Sequence, residues 1–502
     1  MQVVRILITS HRQNKPNFLF SLHKRSLGFI KSVIINWQTM LKQQNNFKVV
    51  LISTYELGRQ PFGLASPAAW LRKDGFHVET VDVSIEPFPE QAVTHANVVA
   101  FYVPMHTATR LAIQMVQRVQ KTNPTVHLCF YGLYAPVNET YLRSLGAQTI
   151  LGGEFEEELV NLCKRLRANG KTNHNNNVSE PVVSLSRLQF MKPDRSDLPG
   201  MSNYAKLYHE NSTSKITGYV EASRGCKHHC RHCPIVPIYN GKFRIIQKEI
   251  VLQDIRQQVG AGAQHITFGD PDFFNGPGHS IPIVQSLHDE FPDLTYDVTI
   301  KIEHLLKHQT LLPTLKETGC EIVTSAVESI DDHILEIFDK KHTQQDFIEV
   351  VQIFDEIGLN LNPTFVTFTP WTTLHGYQEL LFVLNELNLI ENISPIQLAI
   401  RLLIPEGSKL LEHPEAQQYI GEYNQEMLSY EWRNPDKRVE KLFQDVRGII
   451  HSGQRDGLPR QGIFQRIWDC TNTYLKQNLL LPQTQYRKSR ATIPYLNEPW
   501  YC

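Results

Sequence analysis

The chain has 502 residues, with 50 Lys and Arg against 51 Asp and Glu, and a formal net charge of −1 at pH 7. This length exceeds what one hydrophobic core fills, so we expect two to four domains. The balanced charge argues against a nucleic-acid-binding protein, and no apolar run reaches the ~20 residues that cross a bilayer. Most of the eight cysteines are scattered, which is not a disulfide framework and predicts a reducing compartment, the cytoplasm.

Residues 1–46 differ from the rest of the chain. They contain no acidic residue, the first being Glu56, and they carry several Lys and Arg between short apolar patches. A targeting segment is one interpretation, but charges interrupt the apolar patches and no small-residue cleavage site follows them. We favour a disordered extension or a misassigned start, with Met40 as the true initiator.

Residues 47–168 alternate between strand and helix patterns. Apolar runs predict buried strands, and the stretches between them have the spacing of helices at 65–73, at 107–121 and up to residue 167. The predicted strands are 48–54, 77–83, 97–103, 126–132 and 148–154. Five strands with intervening helices predict a Rossmann-like, doubly wound parallel sheet.

Residues 169–214 read as a linker because 171–181 are Asn-rich, polar and end in proline. A second alternating series fills 215–411 and predicts a partial (β/α)6 barrel of TIM type, with its chemistry at the C-terminal strand ends. Its predicted strands are 215–223, 265–270, 295–300, 321–326, 361–368 and 395–400. Residues 412–480 are helical by pattern, including 415–428, and 481–502 form a tail without regular period.

Three cysteines, Cys226, Cys230 and Cys233, follow the first strand of the second series with the spacing C-x3-C-x2-C. Thiolates bind zinc or iron–sulfur clusters, and a structural zinc site normally has four protein ligands. No second C-x2-C follows, so a zinc knuckle needs a histidine from the same loop, where the geometry is awkward. Three cysteines instead leave one iron of a [4Fe–4S] cluster open to a substrate.

This motif at this place resembles the radical S-adenosylmethionine (SAM) superfamily. The resemblance implies that SAM binds the open iron of a [4Fe–4S] cluster and is cleaved by one electron to a 5′-deoxyadenosyl radical. It also implies an electron donor such as flavodoxin or ferredoxin. The family usually has an aromatic residue before the third cysteine, where this chain has His232. We expect the loop histidines to form an exposed basic loop that tunes the cluster potential.

Segments downstream resemble the SAM-contacting segments of this superfamily in their order. FGDPDFF (268–274) and VTIKIEHL (298–305) follow the second and third strands, GCEIVTSAVESID (319–331) surrounds the fourth, and LNPTFVTFTPWTT (361–373) corresponds to the segment beside adenine. The resemblance implies that SAM is contacted by five polar side chains, namely Asp270, Asp272, Lys301, Glu303 and Glu328. The alternatives are a helix cap or turn for the aspartates and a solvated charge pair for the lysine and its neighbour.

The N-terminal module resembles cobalamin-binding domains that precede radical SAM barrels. The resemblance lies in 62–84, FYVPMHTATR (101–110) and LGGEFEEEL (151–159). It implies that cobalamin is contacted by Met105, Gly152, Gly153 and Glu154. The D-x-H-x-x-G pattern that supplies an axial histidine is absent, so a vestigial flavodoxin-like domain with a structural or partner role stays an alternative.

The C-terminal end YLNEPWYC, together with 190–207 and 430–442, resembles a radical SAM family that ends in Cys-Cys-Ala-Glu-Pro or Cys-selenocysteine-Ala-Glu-Pro. The resemblance implies that Cys502 belongs to a redox-active pair. It also implies that a UGA codon after Cys502 encodes selenocysteine, which would make the protein a selenoprotein.

The predicted function is that of a radical SAM enzyme, with cobalamin-dependent methyl transfer to an unreactive carbon or phosphorus. One alternative is radical rearrangement or oxidation with a vestigial cobalamin domain. Another is a zinc- or redox-responsive module without turnover. We expect the substrate to be a small molecule or a peptide, and no motif in the sequence identifies it further.

Overall fold

The computed structural model describes residues 47–169, 179–209, 213–482 and 495–496. The predicted basic extension 1–46 lies outside the described residues, as do part of the linker and most of the tail with Cys502. Within the described residues, no helix is both long and apolar enough to cross a bilayer.

The first domain is built on a parallel sheet whose strand order is β2-β1-β3-β4-β5-β6. Its strands are β1 (Lys48–Ser53), β2 (His77–Asp82), β3 (Val98–Tyr102), β4 (His127–Tyr131), β5 (Thr149–Gly153) and β6 (Val183–Ser184). The five strands predicted from apolar runs are confirmed, because each run is buried on both faces of the sheet. The sixth strand comes from the segment expected to be a linker.

Helices cover both faces of this sheet and separate its apolar side chains into two cores. They are α1 (Phe62–Lys73), α2 (Glu90–Thr94), α3 (His106–Thr122), α4 (Tyr134–Val137), α5 (Glu139–Ser144) and α6 (Glu156–Asn169). The order β2-β1-β3 reverses direction beside β1, and ligands of doubly wound sheets bind at such a switch point. The C-terminal strand ends of this sheet face the second domain.

The second domain is a curled half-barrel with the strand order β14-β13-β12-β11-β8-β7-β17. Strands β8 (Ser214–Val220), β11 (His265–Phe268), β12 (Thr295–Thr299), β13 (Cys320–Glu328) and β14 (Asn360–Phe365) are parallel. Short β7 (Lys206–Tyr208) and β17 (Tyr495–Leu496) extend the edge in antiparallel pairing. The predicted α/β fold class is confirmed.

The helices of the half-barrel lie between its parallel strands. They are α7 (Val236–Tyr239), α8 (Lys248–Gly260), α9 (Pro277–Glu290), α10 (Ile302–Lys307), α11 (Leu312–Glu317), α12 (Asp332–Phe338), α13 (Gln344–Ile357) and α14 (Leu374–Glu386). A two-stranded antiparallel ribbon, β9 (Ser223–Gly225) with β10 (Phe243–Ile245), follows β8. This ribbon frames the cysteine loop.

The expected sixth strand at 395–400 is instead a 3-10 helix, Pro395–Ala399. Pro395 cannot donate to a strand ladder, and the Gln397 side chain accepts the Phe365 backbone N–H at 3.0 Å, where a neighbouring strand would pair. One parallel bridge, between Phe368 and Arg401, is all the strand pairing that remains there. A short apolar run does not separate strand from buried helix.

The C-terminal region is mainly helical, as predicted, but part of it is a hairpin. It contains α15 (Pro414–Gln417), strands β15 (Ile420–Asn424) and β16 (Ser429–Trp432), α16 (Lys437–Arg455) and α17 (Arg460–Leu475). The expected helix at 415–428 is therefore wrong beyond residue 417. Tyr423 and Tyr430 face each other across the hairpin with ring centroids 5.1 Å apart, an aromatic cross-strand pair that favours sheet. Helices α16 and α17 share the barrel's hydrophobic core.

A buried ion cluster joins the two domains beside the cysteine loop. The guanidinium of Arg224, which is 7% exposed, lies 2.5 Å from the Glu221 carboxylate and 2.7 Å from the Glu156 carboxylate. Glu154 is 3.4 Å away on the same guanidinium and accepts a hydrogen bond from the Tyr239 hydroxyl at 3.1 Å. The charges of Glu154 and Glu156 come from the first domain, so this cluster fixes one domain against the other.

Three carboxylates share one guanidinium in this cluster, which leaves an excess of negative charge. Burial alone would lower the pKa of Arg224, but Glu156, Glu221 and Glu154 raise it well above its usual value. Burial raises the pKa of Glu154 to about 7, and the other carboxylates add to the shift. One carboxyl group of the cluster therefore keeps its proton close to neutral pH.

Replacing Arg224 with Met leaves three buried carboxylates without their shared cation. We expect the free energy of unfolding to fall by about 3–5 kcal/mol, the usual cost of breaking a buried ion pair. Thermal and denaturant unfolding under anaerobic conditions measure it. The matched control is Arg256→Met, which removes exposed pairs to Glu249 and Glu290 and should cost about 0–1 kcal/mol. Equal losses in both variants would contradict the assigned role.

The raised pKa of Glu154 predicts a pH dependence of stability. The unfolded carboxyl group has a pKa of about 4.3, so the folded chain binds this proton more tightly. The resulting stabilisation is complete below the unfolded pKa and is lost as the pH rises toward 7. We expect the unfolding temperature to fall less between about pH 5 and about pH 8 in Glu154→Gln than in the wild type. Parallel pH profiles for the two proteins would show that Glu154 is already ionised.

Candidate functional site

The cysteine loop starts where the ribbon strand β9 ends. Gly225 has φ +74°, and a Cβ atom there would lie 2.3 Å from Tyr239 Cδ1 and 2.5 Å from the Lys242 carbonyl oxygen. Only glycine fits this turn, which delivers Cys226 to the C-terminal end of the barrel. The Cys233 backbone N–H donates to the Cys230 carbonyl at 3.1 Å, so a tight turn carries the second and third thiols.

The same loop is anchored to the end of helix α12. The Arg231 backbone N–H donates to the Phe338 carbonyl at 2.9 Å, and its guanidinium donates to the Glu336 and Ile337 carbonyls at 2.9 and 2.8 Å. A cation at a helix C-terminus satisfies unpaired carbonyls and complements the helix dipole. The loop is therefore held before any ligand binds.

The three thiols are shielded from solvent to different degrees. Cys230 is buried, whereas Cys226 and Cys233 are half-buried, and burial raises the pKa of Cys226 to about 11 and that of Cys233 to about 12. Thiols in this setting ionise when a metal ion or cluster supplies positive charge. The residues present therefore fit a thiolate-bound metal centre.

The number of the thiols favours a cluster over a single zinc ion. A structural zinc site normally has four protein ligands, whereas the loop supplies three thiols. Cys226, Cys230 and Cys233 would hold a [4Fe–4S] cluster with one iron left open.

Asp270, predicted to contact SAM, clamps the start of the cysteine loop. Its carboxylate accepts hydrogen bonds from the Ala222 backbone N–H at 2.9 Å and from the Ser223 hydroxyl at 2.5 Å. Burial raises the pKa of Asp270 to about 7. Its side chain also lines the barrel cavity, so contact with SAM stays a prediction beside this structural role.

Asp272, Lys301 and Glu303 come together around a residue of the loop, His228. Asp272 caps the 3-10 helix Phe273–Asn275 through its Oδ1, as the alternative interpretation held, and its Oδ2 lies 3.1 Å from His228 Nε2. Lys301 Nζ is 3.0 Å from Glu303 Oε2 and 3.3 Å from His228 Nδ1. These predicted SAM contacts therefore pair with one another and with the loop.

Glu328 meets the loop on its other side. Its Oε1 lies 3.1 Å from His232 Nε2 and 3.3 Å from Lys340 Nζ. Burial would raise the pKa of Glu328, but Lys340 and His232 lower it to about 2, so the carboxylate is ionised. Its φ is +69°, and strand β13 is irregular there. A non-glycine residue in this conformation at a strand end is a recurrent feature of functional sites.

A cavity of about 290 Å³ occupies the barrel below the loop. Hydroxyl, amide and carboxylate side chains on consecutive strands line it, including Thr267, Asp297, Thr299, Thr324, Asn360 and Asn362. Leu57 and Arg59 of the first domain and Arg460 and Tyr495 of the C-terminal region also border it. The lumen is therefore polar and suited to a hydrogen-bonding ligand.

The residues predicted to contact cobalamin lie at the domain interface but are closed off. A Cβ atom on Gly152 would lie 2.2 Å from Pro136 Cγ, and one on Gly153 would lie 2.1 Å from the Ser184 carbonyl oxygen. Glu154 is fully buried in the Arg224 cluster, and Met105 packs into a small apolar cluster that includes Tyr134, Ile235 and Ile238. As arranged here, these residues do not fit a corrin.

Sequence reasoning missed the side chains that connect the predicted residues. They are Arg224, His228, His232, His304 and Lys340. The expected exposed basic loop is wrong for His228 and His232, which are half-buried and paired with carboxylates; only His229 is exposed. The available signal was a histidine two residues on either side of Cys230, which shows that both are close to the cysteines but does not identify their carboxylate partners.

Comparison with protein-family models matches residues 220–377 to the radical SAM superfamily. This range begins at the end of β8 and includes all three cysteines together with the predicted SAM-contacting residues. The match covers the half-barrel, whereas the first domain and the C-terminal helices lie outside it.

Two curated relatives match over different lengths. A hopanoid C-3 methylase of Methylococcus capsulatus is 22% identical over 328 residues, which is 62% of this chain and 62% of the relative. A tRNA-2-methylthio-N(6)-dimethylallyladenosine synthase of Chlorobium chlorochromatii is 26% identical over 161 residues, 30% of this chain and 34% of the relative. The chain therefore matches less than two thirds of the length of either relative.

Among solved structures, the chain resembles the cobalamin-dependent SAM radical enzyme OxsB, determined with aqua-cobalamin and SAM bound. The TM-score is 0.64 at 14% identity, and the match covers 82% of this chain and 67% of that one. At this identity the likeness concerns the fold, which extends over both domains. With the three-cysteine loop at the mouth of a half-barrel, the comparisons establish that this chain is an enzyme that carries a radical SAM superfamily domain at residues 220–377.

Proposed function

We propose that the chain cleaves SAM reductively at a [4Fe–4S] cluster held by Cys226, Cys230 and Cys233, and that it transfers a methyl group to an unreactive carbon or phosphorus. When bound, such a cluster supplies the one-electron reduction of SAM, with the electron coming from a donor protein such as flavodoxin or ferredoxin. The observation that carries the first part is the three-thiol loop at the C-terminal end of the half-barrel, which Asp270 connects to a polar barrel cavity. The chain's own residues bind and orient SAM, and they shield the cluster site from solvent.

The described contacts support particular side chains for these tasks. Asp270 fixes the first part of the loop to strand β11 through two hydrogen bonds. Lys340, which is 3% exposed, places a positive charge near Cys230 and Cys233, where it offsets negative charge on thiolates. The cavity below offers hydroxyl and amide groups for the ribose and adenine of SAM. Together they preorganise the site before SAM binds.

The methyl-transfer part rests on the length of one match. The similarity to the hopanoid C-3 methylase extends over 328 residues, well beyond the 158-residue range 220–377 of the radical SAM domain. Cobalamin is the methyl carrier that the OxsB-like fold suggests. The predicted cobalamin contacts are closed off by Pro136, Ser184 and Arg224, so these residues do not hold a cobalamin methyl carrier in this arrangement.

The closed interface favours a second candidate function. If the first domain is a structural support, the radical chemistry is a rearrangement or an oxidation without methyl transfer. The observation in its favour is the buried Arg224 cluster, which engages Glu154, one of the residues predicted to contact cobalamin. The products of SAM distinguish the two candidates, because methyl donation leaves S-adenosylhomocysteine and radical cleavage leaves 5′-deoxyadenosine.

Replacing Cys230 with Ala removes one of the three thiolates, so the variant should no longer bind the cluster stably. We expect anaerobically reconstituted wild type to contain about four irons per chain, as a [4Fe–4S] cluster has. With a reductant it should release 5′-deoxyadenosine, and Cys230→Ala should fall to the level of protein without iron. SAM labelled with a trideuteromethyl group, incubated with small molecules and peptides of a cell extract, should yield labelled product and S-adenosylhomocysteine.

The control for this experiment is Cys470→Ala, a half-buried free cysteine remote in sequence from the loop, which should keep iron and SAM cleavage. If Cys230→Ala cleaves SAM at the wild-type rate, the proposed cluster is rejected. Release of 5′-deoxyadenosine without S-adenosylhomocysteine or labelled product would reject methyl transfer and leave the second candidate.

Replacing Lys340 with Met tests the electrostatic role of its buried ammonium. Loss of a positive charge beside the thiolates makes reduction of the cluster harder. We expect the midpoint potential to become more negative by on the order of 59 mV, which is a tenfold change for one electron. SAM cleavage with a weak reductant should slow accordingly. Redox titration followed by electron paramagnetic resonance measures the shift.

Its matched control is Lys341→Met. The neighbouring Lys341 is 64% exposed in its side chain and pairs with Asp339 at the surface, so solvent screens its charge. Its loss should leave the potential unchanged. Equal shifts in the two variants would assign the effect to overall charge and remove the specific role of Lys340.

A further inference from the structure

Three side chains from three separate elements converge beside the cysteine loop. They are His228 of the loop, Asp272 after strand β11 and His304 of helix α10. One ligand atom from each lies within 4.8 Å of the other two. Among the described parts of the chain, no other group of three histidine, cysteine or carboxylate side chains has its ligand atoms this close together. None of the sequence motifs placed a metal here.

The donor atoms point to one another around the Asp272 carboxylate. Its Oδ2 lies 3.1 Å from His228 Nε2 and 2.7 Å from His304 Nδ1, and the two imidazole rings have centroids 4.5 Å apart. Oδ1 is used separately, as the acceptor for the Phe274 backbone N–H. One carboxylate oxygen and two ring nitrogens are therefore left facing a common point.

This group is buried. Asp272 is 1% exposed and His304 is 6% exposed. His304 Nδ1 has the Asp272 carboxylate oxygen as its partner at 2.7 Å. Two imidazoles with one carboxylate are a familiar transition-metal donor set.

The surroundings hold the donors in place without competing for the ion. Glu303 Oε2 lies 3.5 Å from His228 Nδ1, so a proton on Nδ1 faces a carboxylate and Nε2 is left to bind an ion beside Asp272. The positive charge of Lys301 is itself paired with Glu303 at 3.0 Å. Donation of the second ring N–H to a carboxylate is a usual way in which a ligating imidazole is oriented.

We propose that His228, Asp272 and His304 bind a divalent transition-metal ion, at a site separate from the three cysteines. Zinc is the probe, because it binds nitrogen and oxygen sites more tightly than iron(II) and so reveals the site whichever ion occupies it in the cell. The ion binds His228 Nε2 in the neutral tautomer that carries its proton on Nδ1, and His304 Nδ1 in the neutral tautomer that carries its proton on Nε2, so it takes the place of the direct contacts of both nitrogens with Asp272 Oδ2. It ties the cysteine loop to the ends of two neighbouring barrel strands.

This site does not depend on methyl transfer or on SAM, so its test is independent of activity. Protein loaded anaerobically with its iron–sulfur cluster is incubated with zinc, freed of excess metal and analysed for both elements by mass spectrometry. Zinc-edge X-ray absorption then reads the zinc ligands even when iron is present. Nitrogen and oxygen ligands lie about 2.0–2.1 Å from zinc, and sulfur ligands about 2.3 Å.

The expected result is one zinc per chain, with a nitrogen and oxygen shell that includes imidazole scattering and no sulfur, and an unchanged iron content. Asp272→Asn and His304→Ala should lose the zinc and keep the iron. Two matched controls should keep both metals. They are His229→Ala, an exposed histidine of the same loop, and His308→Ala, one turn after His304 with ring centroids 5.7 Å apart.

Three outcomes overturn the proposal. They are the absence of stoichiometric zinc in the wild type, a zinc shell that contains sulfur, and zinc content that Asp272→Asn and His304→Ala leave unchanged. Should both variants also lose iron through misfolding, the ligand shell of zinc in the wild type decides alone. That measurement needs no substitution, since a sulfur-free shell with imidazole excludes the cysteines as the binding site.

Discussion

The buried guanidinium of Arg224 is the interaction on which the arrangement of the site depends. It binds carboxylates from both domains and stands two residues before Cys226, so the position of the first domain and that of the cysteine loop are fixed by one side chain. Phe62, Phe155 and Phe190 surround the guanidinium, with ring centroids 4.8–5.6 Å from its central carbon. Aromatic faces stabilise a desolvated guanidinium, and they exclude the water that would otherwise screen the cluster.

The cysteine loop repeats this arrangement on a smaller scale. Each basic side chain that it turns inward meets a group at the C-terminal end of a strand or helix: Arg231 meets the carbonyls of α12, His228 meets Asp272 and His232 meets Glu328. These contacts satisfy polar groups that burial would otherwise leave unpaired. They also hold the three thiols in one orientation, so the binding of a cluster requires little reordering of the loop.

The sequence predicted the fold well where apolar runs lie in parallel strands. KVVLIS and the four runs after it are buried on both sides, and burial of that kind leaves a strong pattern. The prediction failed where one residue overrides the pattern, as Pro395 does, or where a hairpin buries few side chains, as at residues 420–432. The cysteines could be predicted from the sequence because their spacing is local. Their partners could not be predicted, because Asp272, His304 and Lys340 come from distant segments and only folding places them beside the loop.

The cavity and the domain interface differ in a way that bears on substrate entry. The interface above the loop is filled by the Arg224 cluster and by the small apolar cluster around Tyr134, whereas the barrel lumen stays open and polar. Leu57 and Arg59 of the first domain, Arg460 of α17 and the short strand β17 all reach the rim of that lumen. Three parts of the chain thus converge on the open side of a half-barrel, where the β17 edge and the β14 edge do not meet. Because the lumen is open there, a molecule that enters it from this side has to pass the residues of that rim.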